Sequence, residues 1–130
     1  MPGCHVKPEQ MFNLIFGYAG QILEKTEVEG AGDHTSAYST PVPPNELHVM
    51  TGISAKHDDV NSRTLMLRVW DGTDFYHIAR REGIAKTEIL DRQGMWILVE
   101  GDMIEARCLS LGAGKSVFCE INGYKMILSQ

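Results

Sequence analysis

The sequence predicts an all-β fold: a jelly-roll-like antiparallel β-sandwich of about eight strands, preceded by a short N-terminal helix or arm. Between residues 46 and 128, short segments of alternating apolar and polar residues are separated by turns containing Asp, Asn and Gly. This rhythm is typical of small sandwiches and barrels. A chain of 130 residues holds one core, and a single open sheet would leave an apolar face unburied. We therefore predict an N-terminal segment, 1–20, and a sandwich domain, 21–130.

The N-terminal segment has helical spacing. An apolar stripe recurs at i, i+3, i+4 and i+7, and a second apolar pair lies one turn apart. We predict a helix over 8–18 that either packs on its own domain or docks on another chain. An extended arm is the alternative, because Phe and Ile also suit strands. The stripe consists of Met11, Leu14, Ile15 and Tyr18, and the pair of Phe12 and Phe16.

The strands are expected to follow in order, each between turn signals. The clearest is 47–55, where Leu47, Val49, Thr51, Ile53 and Ala55 alternate with a set that includes Met50. Prolines confine the second segment to an edge or a turn, and an Asp-Gly turn after residue 70 indicates a hairpin. The predicted strands are 21–28, 36–42, 47–55, 64–70, 74–79, 84–90, 96–99, 103–109 and 115–128, of which 84–90 and 96–99 have the weakest patterns.

Charge and composition exclude several classes of function. The net charge is -5 and the 12 basic residues are scattered, which argues against nucleic-acid binding because phosphate contacts need clustered Lys and Arg. No apolar run approaches the ~18 residues of a membrane span. The first residues lack the features of a secretory signal. We therefore expect synthesis in a reducing cytoplasm, where three cysteines suit free thiols better than disulfides.

The segment GAGKS at 112–116 ends like a phosphate-binding loop, but we reject that interpretation. Leu109 occupies the position where that motif needs its first glycine, and the residues that follow look like a strand rather than a helix. A glycine-rich hairpin turn is the better interpretation. Such a hairpin would place Cys108 and Cys119 opposite each other, either as a strained cross-strand pair or as small buried residues.

Histidines and loop aspartates give no complete catalytic or metal motif. The five histidines lack ligand spacing. His57 beside two aspartates could be an oriented base, although a solvated loop is the simpler interpretation. Asp58, Asp59, Asp71 and Asp74 could gather at one end of a sandwich and hold calcium, but they lack the alternating pattern of a calcium loop. We assign no catalytic residue, no cofactor and no metal.

Aromatic and methionine side chains indicate a second covered face. Alternation places Trp70 on the face of its strand opposite to Leu65 and Leu67. It also places Met50 and Met66 at outward-facing positions of their strands. An exposed patch of this kind exceeds what a monomer usually tolerates. Either the N-terminal segment or another subunit would cover it. A carbohydrate-stacking surface built on Trp70 and Tyr76 is an alternative.

Several stretches together resemble a known group of proteins. They are PVPPNELHV at 41–49, GISA at 52–55, LRVWDGT at 67–73, VEGDMIEA at 99–106 and INGYKM at 121–126. In this order they resemble small β-sandwich accessory proteins of tailed-bacteriophage virions: capsid decoration (cement), head-fibre, neck or tail proteins. The resemblance covers 41–128 and carries no catalytic residues. It implies a homo-oligomer, commonly a trimer on a local threefold axis.

The sequence therefore predicts a non-enzymatic virion structural protein that binds and stabilises the major capsid shell as a homo-oligomer. A neck or tail accessory role is the closest alternative. A carbohydrate-binding module and a small enzyme of the cupin kind are the rivals. The expected partners are further copies of the chain and the major capsid protein or other virion proteins, with no nucleic acid and no membrane. The predicted partner-binding residues are Met11, Phe12, Leu14, Ile15 and Phe16, with Trp70 and Tyr76 as secondary anchors.

Overall fold

The computed structural model describes residues 16–30 and 32–128, and this part of the chain is all β. Alternating apolar residues form the strands, and polar or glycine-containing loops end them. No helix occurs among these residues, so this part of the chain contains no helix with the length and hydropathy of a membrane span. The strands are β1 (Phe16–Gly30), β2 (His34–Tyr38), β3 (Glu46–His57), β4 (Arg63–Trp70), β5 (Phe75–Ile84), β6 (Leu90–Leu98), β7 (Met103–Leu109) and β8 (Lys115–Leu128).

The eight strands form two antiparallel four-stranded sheets. Sheet A has the order β1-β8-β3-β6, and sheet B has the order β2-β7-β4-β5. The strand pairs are nested in the sequence: β1 pairs with β8, β2 with β7, β3 with β6 and β4 with β5. Four nested pairs wrapped into two sheets are the jelly roll. The predicted fold class is confirmed.

The core lies between the sheets and is made by the inward phase of each strand. Leu65 and Leu67 of β4 face it from sheet B, and Ile53 of β3 faces it from sheet A. All three are at most 2% exposed, and burial of such side chains is the main favourable contribution to folding. Other core residues include Met50, Ala55, Leu90, Ile104, Ala106, Cys108, Val117, Cys119 and Ile121.

A β-bulge at Thr51 reverses the faces of β3. The register shifts between Met50 and Gly52 against both neighbouring strands, because a bulge inserts one unpaired residue. Met50 is consequently a core residue, whereas Val49 has the outward phase. The prediction that residues 47–55 keep one phase throughout, with Met50 outward, is wrong. An inserted residue is invisible to a strict period of two.

Two segment predictions also need correction. Residues 16–18, the end of the predicted helix, are the first residues of β1, so the sandwich begins inside the predicted segment 1–20. Residues 85–89 form a loop instead of continuing the strand predicted over 84–90. In that loop the amide of Glu88 donates to the carbonyl of Ala85, and the amide of Ala85 donates to the carboxylate of Glu88.

The predicted hairpin around Ala113 and Gly114 is absent, since β7 and β8 belong to different sheets. Cys108 and Cys119 therefore reach the core from opposite sides, as free and buried thiols. Burial raises the pKa of Cys108 to about 11 and that of Cys119 to about 12. Both cysteines act as small apolar side chains. The motif at 112–116 leads into a strand, as predicted.

Candidate interaction surfaces

An apolar patch occupies one end of the outer face of sheet A. On the N-terminal side of the bulge, Leu47 and Val49 point away from the core, and the residues that pair with them on the neighbouring strands lie on the same face. Val49 lies between Tyr124 and Ile97. Met126 lies between Leu47 and Tyr18 of β1. We call this set the outer patch; it comprises Tyr18, Leu47, Val49, Ile97, Tyr124 and Met126.

The outer patch combines buried and exposed side chains. Val49 is 2% exposed although it faces away from the core, whereas Tyr18 is 67% exposed and Ile97 54%. The rings of Tyr18 and Tyr124 lie 6.3 Å apart at 43°, a spacing typical of aromatic pairs. No described strand lies over this face. The patch is an apolar surface with raised aromatic edges.

Strand β6 extends the outer patch to the edge of sheet A. One side of β6 pairs with β3, and the other pairs with none of the described strands. Met95 is 66% exposed and Val99, just after the strand, is 53% exposed. Proteins usually protect an open edge with charge, proline or a covering element, because its backbone groups can pair with another chain. The second half of β6 has only apolar side chains at 95–98.

A shallow groove continues along the same outer face. It encloses about 280 Å³ and forms where Gly52 and Ser54 leave little side-chain bulk. Leu23 and Ile89 line it and are strongly exposed. Polar groups at its sides include Asp91, Arg92, Gln93, Glu120 and Asn122. Together with the outer patch, the groove gives sheet A an irregular surface able to accept side chains.

Sheet B carries a polar cluster on its outer face. Glu105 is 1% exposed, and its carboxylate accepts hydrogen bonds from Arg68 Nε at 2.5 Å, Ser36 Oγ at 2.7 Å and Tyr38 Oη at 3.0 Å. Burial by itself would raise the pKa of Glu105, but these donors outweigh it and the pKa is lowered. Burial, with Glu105 nearby, raises the pKa of Tyr38. The cluster is a buried and internally paired charge site.

The structure separates the two predicted aromatic anchors. Trp70 pairs with Phe75 on the outer face of sheet B, with ring centroids 4.3 Å apart, and the Arg68 guanidinium lies 3.7 Å from the Phe75 centroid. Tyr76 pairs with Val69 and so has the opposite phase. It is 55% exposed, and its pKa is raised mainly by the charge of Asp71. The two rings therefore do not form one sugar-stacking platform.

The other predicted partner-binding residues fall at the start of the chain. Met11, Phe12, Leu14 and Ile15 lie outside the described residues. Phe16 is the first residue of β1, beside Leu128. Tyr18, two residues further along β1, belongs to the outer patch. The predicted N-terminal anchors are thus adjacent in sequence to the apolar end of sheet A.

His57 and Asp59 form a buried structural unit, so the interpretation of this segment as a solvated loop is wrong. His57 Nε2 donates to the carbonyl of Ile84 at 2.7 Å, and Nδ1 accepts the Asp59 amide at 3.1 Å. Asp59 accepts from the amides of Asn61 and Gly112 and from Arg63. Both imidazole nitrogens are therefore occupied by the backbone, and the unit fixes the β3–β4 loop.

The candidate metal residues do not converge. Asp58 and Asp59 precede β4, whereas Asp71 and Asp74 follow it, so an eight-residue strand of roughly 25 Å separates the pairs. His48 is in sheet A and His77 is in sheet B. Among residues 16–30 and 32–128, no group of three or more His, Cys, Asp or Glu could hold a metal ion.

Sequence reasoning missed the outer patch. The signal available was the run MWILV at 95–99, which is apolar on both phases. Such a run indicates a strand with two covered faces. Asn122-Gly123, opposite the bulge, was a second signal, because glycine within a strand often marks a bulge or a close approach.

Comparisons with known proteins were made for both sequence and structure. No family model matches the chain, and no curated protein matches it. Among solved structures it is similar to a Yersinia pseudotuberculosis-derived mitogen, with TM-score 0.42 and 12% identity over 79% of this chain and 84% of that one. It is also similar to the Drosophila NLP core, described in connection with pentamer formation and histone binding, with TM-score 0.37 and 10% identity over 82% and 98% of the two chains.

Proposed function

We propose that this protein is a structural subunit that assembles with copies of itself through the outer face of sheet A and serves in the particle of a tailed bacteriophage. The outer patch is the observation that carries the assembly. The virion role rests on the resemblance of residues 41–128 to capsid decoration, neck and tail accessory proteins. In this proposal the chain is not an enzyme.

The chemistry of the outer patch favours association with a protein surface. Ile97 and Tyr18 are more than half exposed beside Val49 and Met126, which are already shielded. Covering the exposed groups removes apolar area from water, which contributes about 25 cal/mol per Å². The open edge of β6 adds unpaired backbone donors and acceptors alongside. A second copy can thus gain side-chain burial and strand pairing together.

The assembly is tested by the mass of the protein in solution. We expect light scattering to give an oligomer for the unmodified chain and a monomer for Ile97→Asp, because a carboxylate in an apolar interface is costly to desolvate. Val60→Asp is the matched control: Val60 is 73% exposed in the β3–β4 loop and should leave the oligomer unchanged. A monomeric unmodified chain, or an oligomeric Ile97→Asp variant, would overturn the proposal.

The virion role needs a separate measurement. Full-length protein should cosediment with capsids of the phage whose genome encodes it. A chain of 16–130 keeps every described strand, unlike a deletion of 1–18, which would remove the start of β1. We expect this shortened chain to fold and to lose capsid binding, because the predicted anchors at 11–15 are gone. Failure of the full-length protein to bind capsids would reject the virion role and leave the assembly test intact.

A further inference from the structure

We propose that residues 11–15, which directly precede β1, lie across the outer patch of the same chain and cover its centre. We call these residues the docking segment. This covering leaves Ile97 and the open edge of β6 available for the assembly proposed above, and it does not depend on that assembly. Four of the five residues are apolar: Met11, Phe12, Leu14 and Ile15.

The centre of the outer patch is shielded within one chain, although it faces away from the core. Leu47 is 7% exposed, Val49 2% and Met126 6%. None of the three belongs to the core cluster between the sheets, and no described strand lies over them. Tyr124 and Ile97 stand beside Val49 in the same sheet. Burial this complete requires atoms above the sheet as well, since a fully buried side chain has neighbours on every side.

The shielding is confined to one end of sheet A. Past the bulge, the outward-facing Ser54 and Lys56 of the central strand β3 are only half-buried. On β8, the other central strand, Glu120 is half-buried and Asn122 is exposed. Leu23 on β1 is 89% exposed. A position in a central strand therefore does not by itself bury an outward-facing side chain.

The described loops at this end of the sheet close the core instead of covering the patch. The amide of Val42 donates to the carbonyl of Asp102, and the amide of Gly101 donates to the carbonyl of Val42. Val42 is 2% exposed and belongs to the core cluster. The loops that precede β3 and β7 are thus held between the sheets. The cover over the outer face is left to residues beyond the described part of the chain.

The docking segment begins at the patch and is long enough to cross it. Phe16 pairs with Leu128 at this end of sheet A, and Tyr18 pairs with Met126 inside the patch. Because adjacent strands lie ~4.8 Å apart, β3 is roughly 10 Å from β1 in the order β1-β8-β3. Five residues extend over at most ~17 Å. The docking segment can therefore pass from β1 over β8 and reach Val49.

Paramagnetic broadening in the full-length protein tests the contact. A nitroxide attached to Asn13→Cys, in a Cys4→Ser background, should broaden the methyl resonances of Val49 and Met126. Asn13 is the polar residue of the docking segment, so labelling it removes no apolar contact. Val28 is the control, because it lies near the far end of β1, ~40 Å from the start of that strand. Its methyl resonances should be unaffected.

Refolding with unlabelled protein distinguishes a contact within one chain from a contact between chains. The labelled protein is refolded together with a large excess of protein that has neither spin label nor isotope. Broadening within one chain should persist. Broadening that disappears on dilution would assign the cover to the segment of a neighbouring copy and overturn the proposal. The outcome does not depend on the mass of the oligomer, so failure here is separate from failure of the assembly.

A substitution provides a second measurement without a label. We expect Leu14→Asp to shift the methyl resonances of Val49 and Met126 and to lower the unfolding midpoint by roughly 4 °C, because a carboxylate is costly to bury. Val6→Asp makes a similar apolar-to-acidic change outside the docking segment and should do neither. Unchanged resonances in Leu14→Asp, or no broadening from the label at position 13, would reject the docking of this segment.

Discussion

Glu105 is a carboxylate buried on the outer side of a sheet, and its charge is tolerated because three donors surround it, one of which is the cationic Arg68. The Arg68 guanidinium in turn lies on the Phe75 ring. A buried ion pair is costly to form, yet removing one partner is worse because the other charge remains uncompensated. This residue pair therefore fixes the geometry of β2, β4 and β7 where they meet.

We predict that Glu105→Ala lowers the free energy of unfolding by about 3 kcal/mol, because it leaves Arg68 buried without a counter-charge. The double variant Arg68→Met/Glu105→Leu should recover most of that loss. Equilibrium urea denaturation measures both. A double variant as unstable as Glu105→Ala would show that the pair itself stabilises the fold.

Asp59 gives a prediction about pH. The amides of Asn61 and Gly112, opposed by burial and helped by Arg63, hold its pKa well below the usual 3.8. A lowered carboxylate pKa in the folded state means that its stabilisation is complete above the unfolded value and is lost as the pH falls through the folded value. Stability should therefore decline from roughly pH 4 downward.

Asp59→Asn should reduce that decline, because the variant has no carboxylate to protonate at this position. The free energies of unfolding of the two proteins, measured from roughly pH 5 to pH 2, should converge toward acid. Parallel curves would mean that Asp59 contributes nothing to acid sensitivity. The Asp59 effect is local to the β3–β4 loop, so it should not alter assembly through sheet A.

At the scale of elements, the bulge in β3 decides which side chains form the outer patch. Gly123 of β8 faces this bulge, and a Cβ placed on it would lie 2.0 Å from the carbonyl oxygen of Val49. The β3 and β8 backbones thus approach more closely than a side chain permits. The approach requires glycine for space rather than for a positive φ.

Gly123→Ala should therefore cost about 4 kcal/mol or more, among the largest effects of single substitutions. The obstructing atom is backbone and cannot rotate away. Gly17→Ala in β1 is the control, because a Cβ there meets nothing within 4 Å. Thermal unfolding of the two variants compares them. Similar midpoints would contradict the close approach.

At the scale of the whole molecule, the two described cysteines report on the integrity of the core. Cys108 and Cys119 face the interior from different sheets, and burial raises both pKa values to about 11 and 12. Thiol reagents attack the thiolate. Reaction therefore requires opening of the sandwich and not merely the movement of a loop.

In a Cys4→Ser background, we predict no labelling of the native protein by a disulfide reagent at about pH 8 and complete labelling of both cysteines in denaturant. Labelling should follow the same denaturant curve as the loss of β structure, because the jelly roll interleaves its strands in sequence. Labelling of Cys119 before unfolding would show that sheet A opens separately.

The sequence by itself determined the class of the fold, because alternating residues and turn signals are local properties of the chain. The segments 64–70, 103–109 and 115–128 were predicted within one residue of β4, β7 and β8, since uninterrupted alternation identifies them. Trp70 and Met66 were placed correctly on the outward phase of β4 for the same reason.

Only the tertiary structure decided which strands are neighbours and which face each side chain occupies near the bulge. The assignment of β7 and β8 to different sheets, the outward turn of Val49 and the pairing of Arg68 with Glu105 all depend on contacts between residues distant in sequence. Local patterning carries no information about such pairings. One inserted residue moves the side chains that follow it to the other face of the strand, and one long connection can carry the next strand to the other sheet.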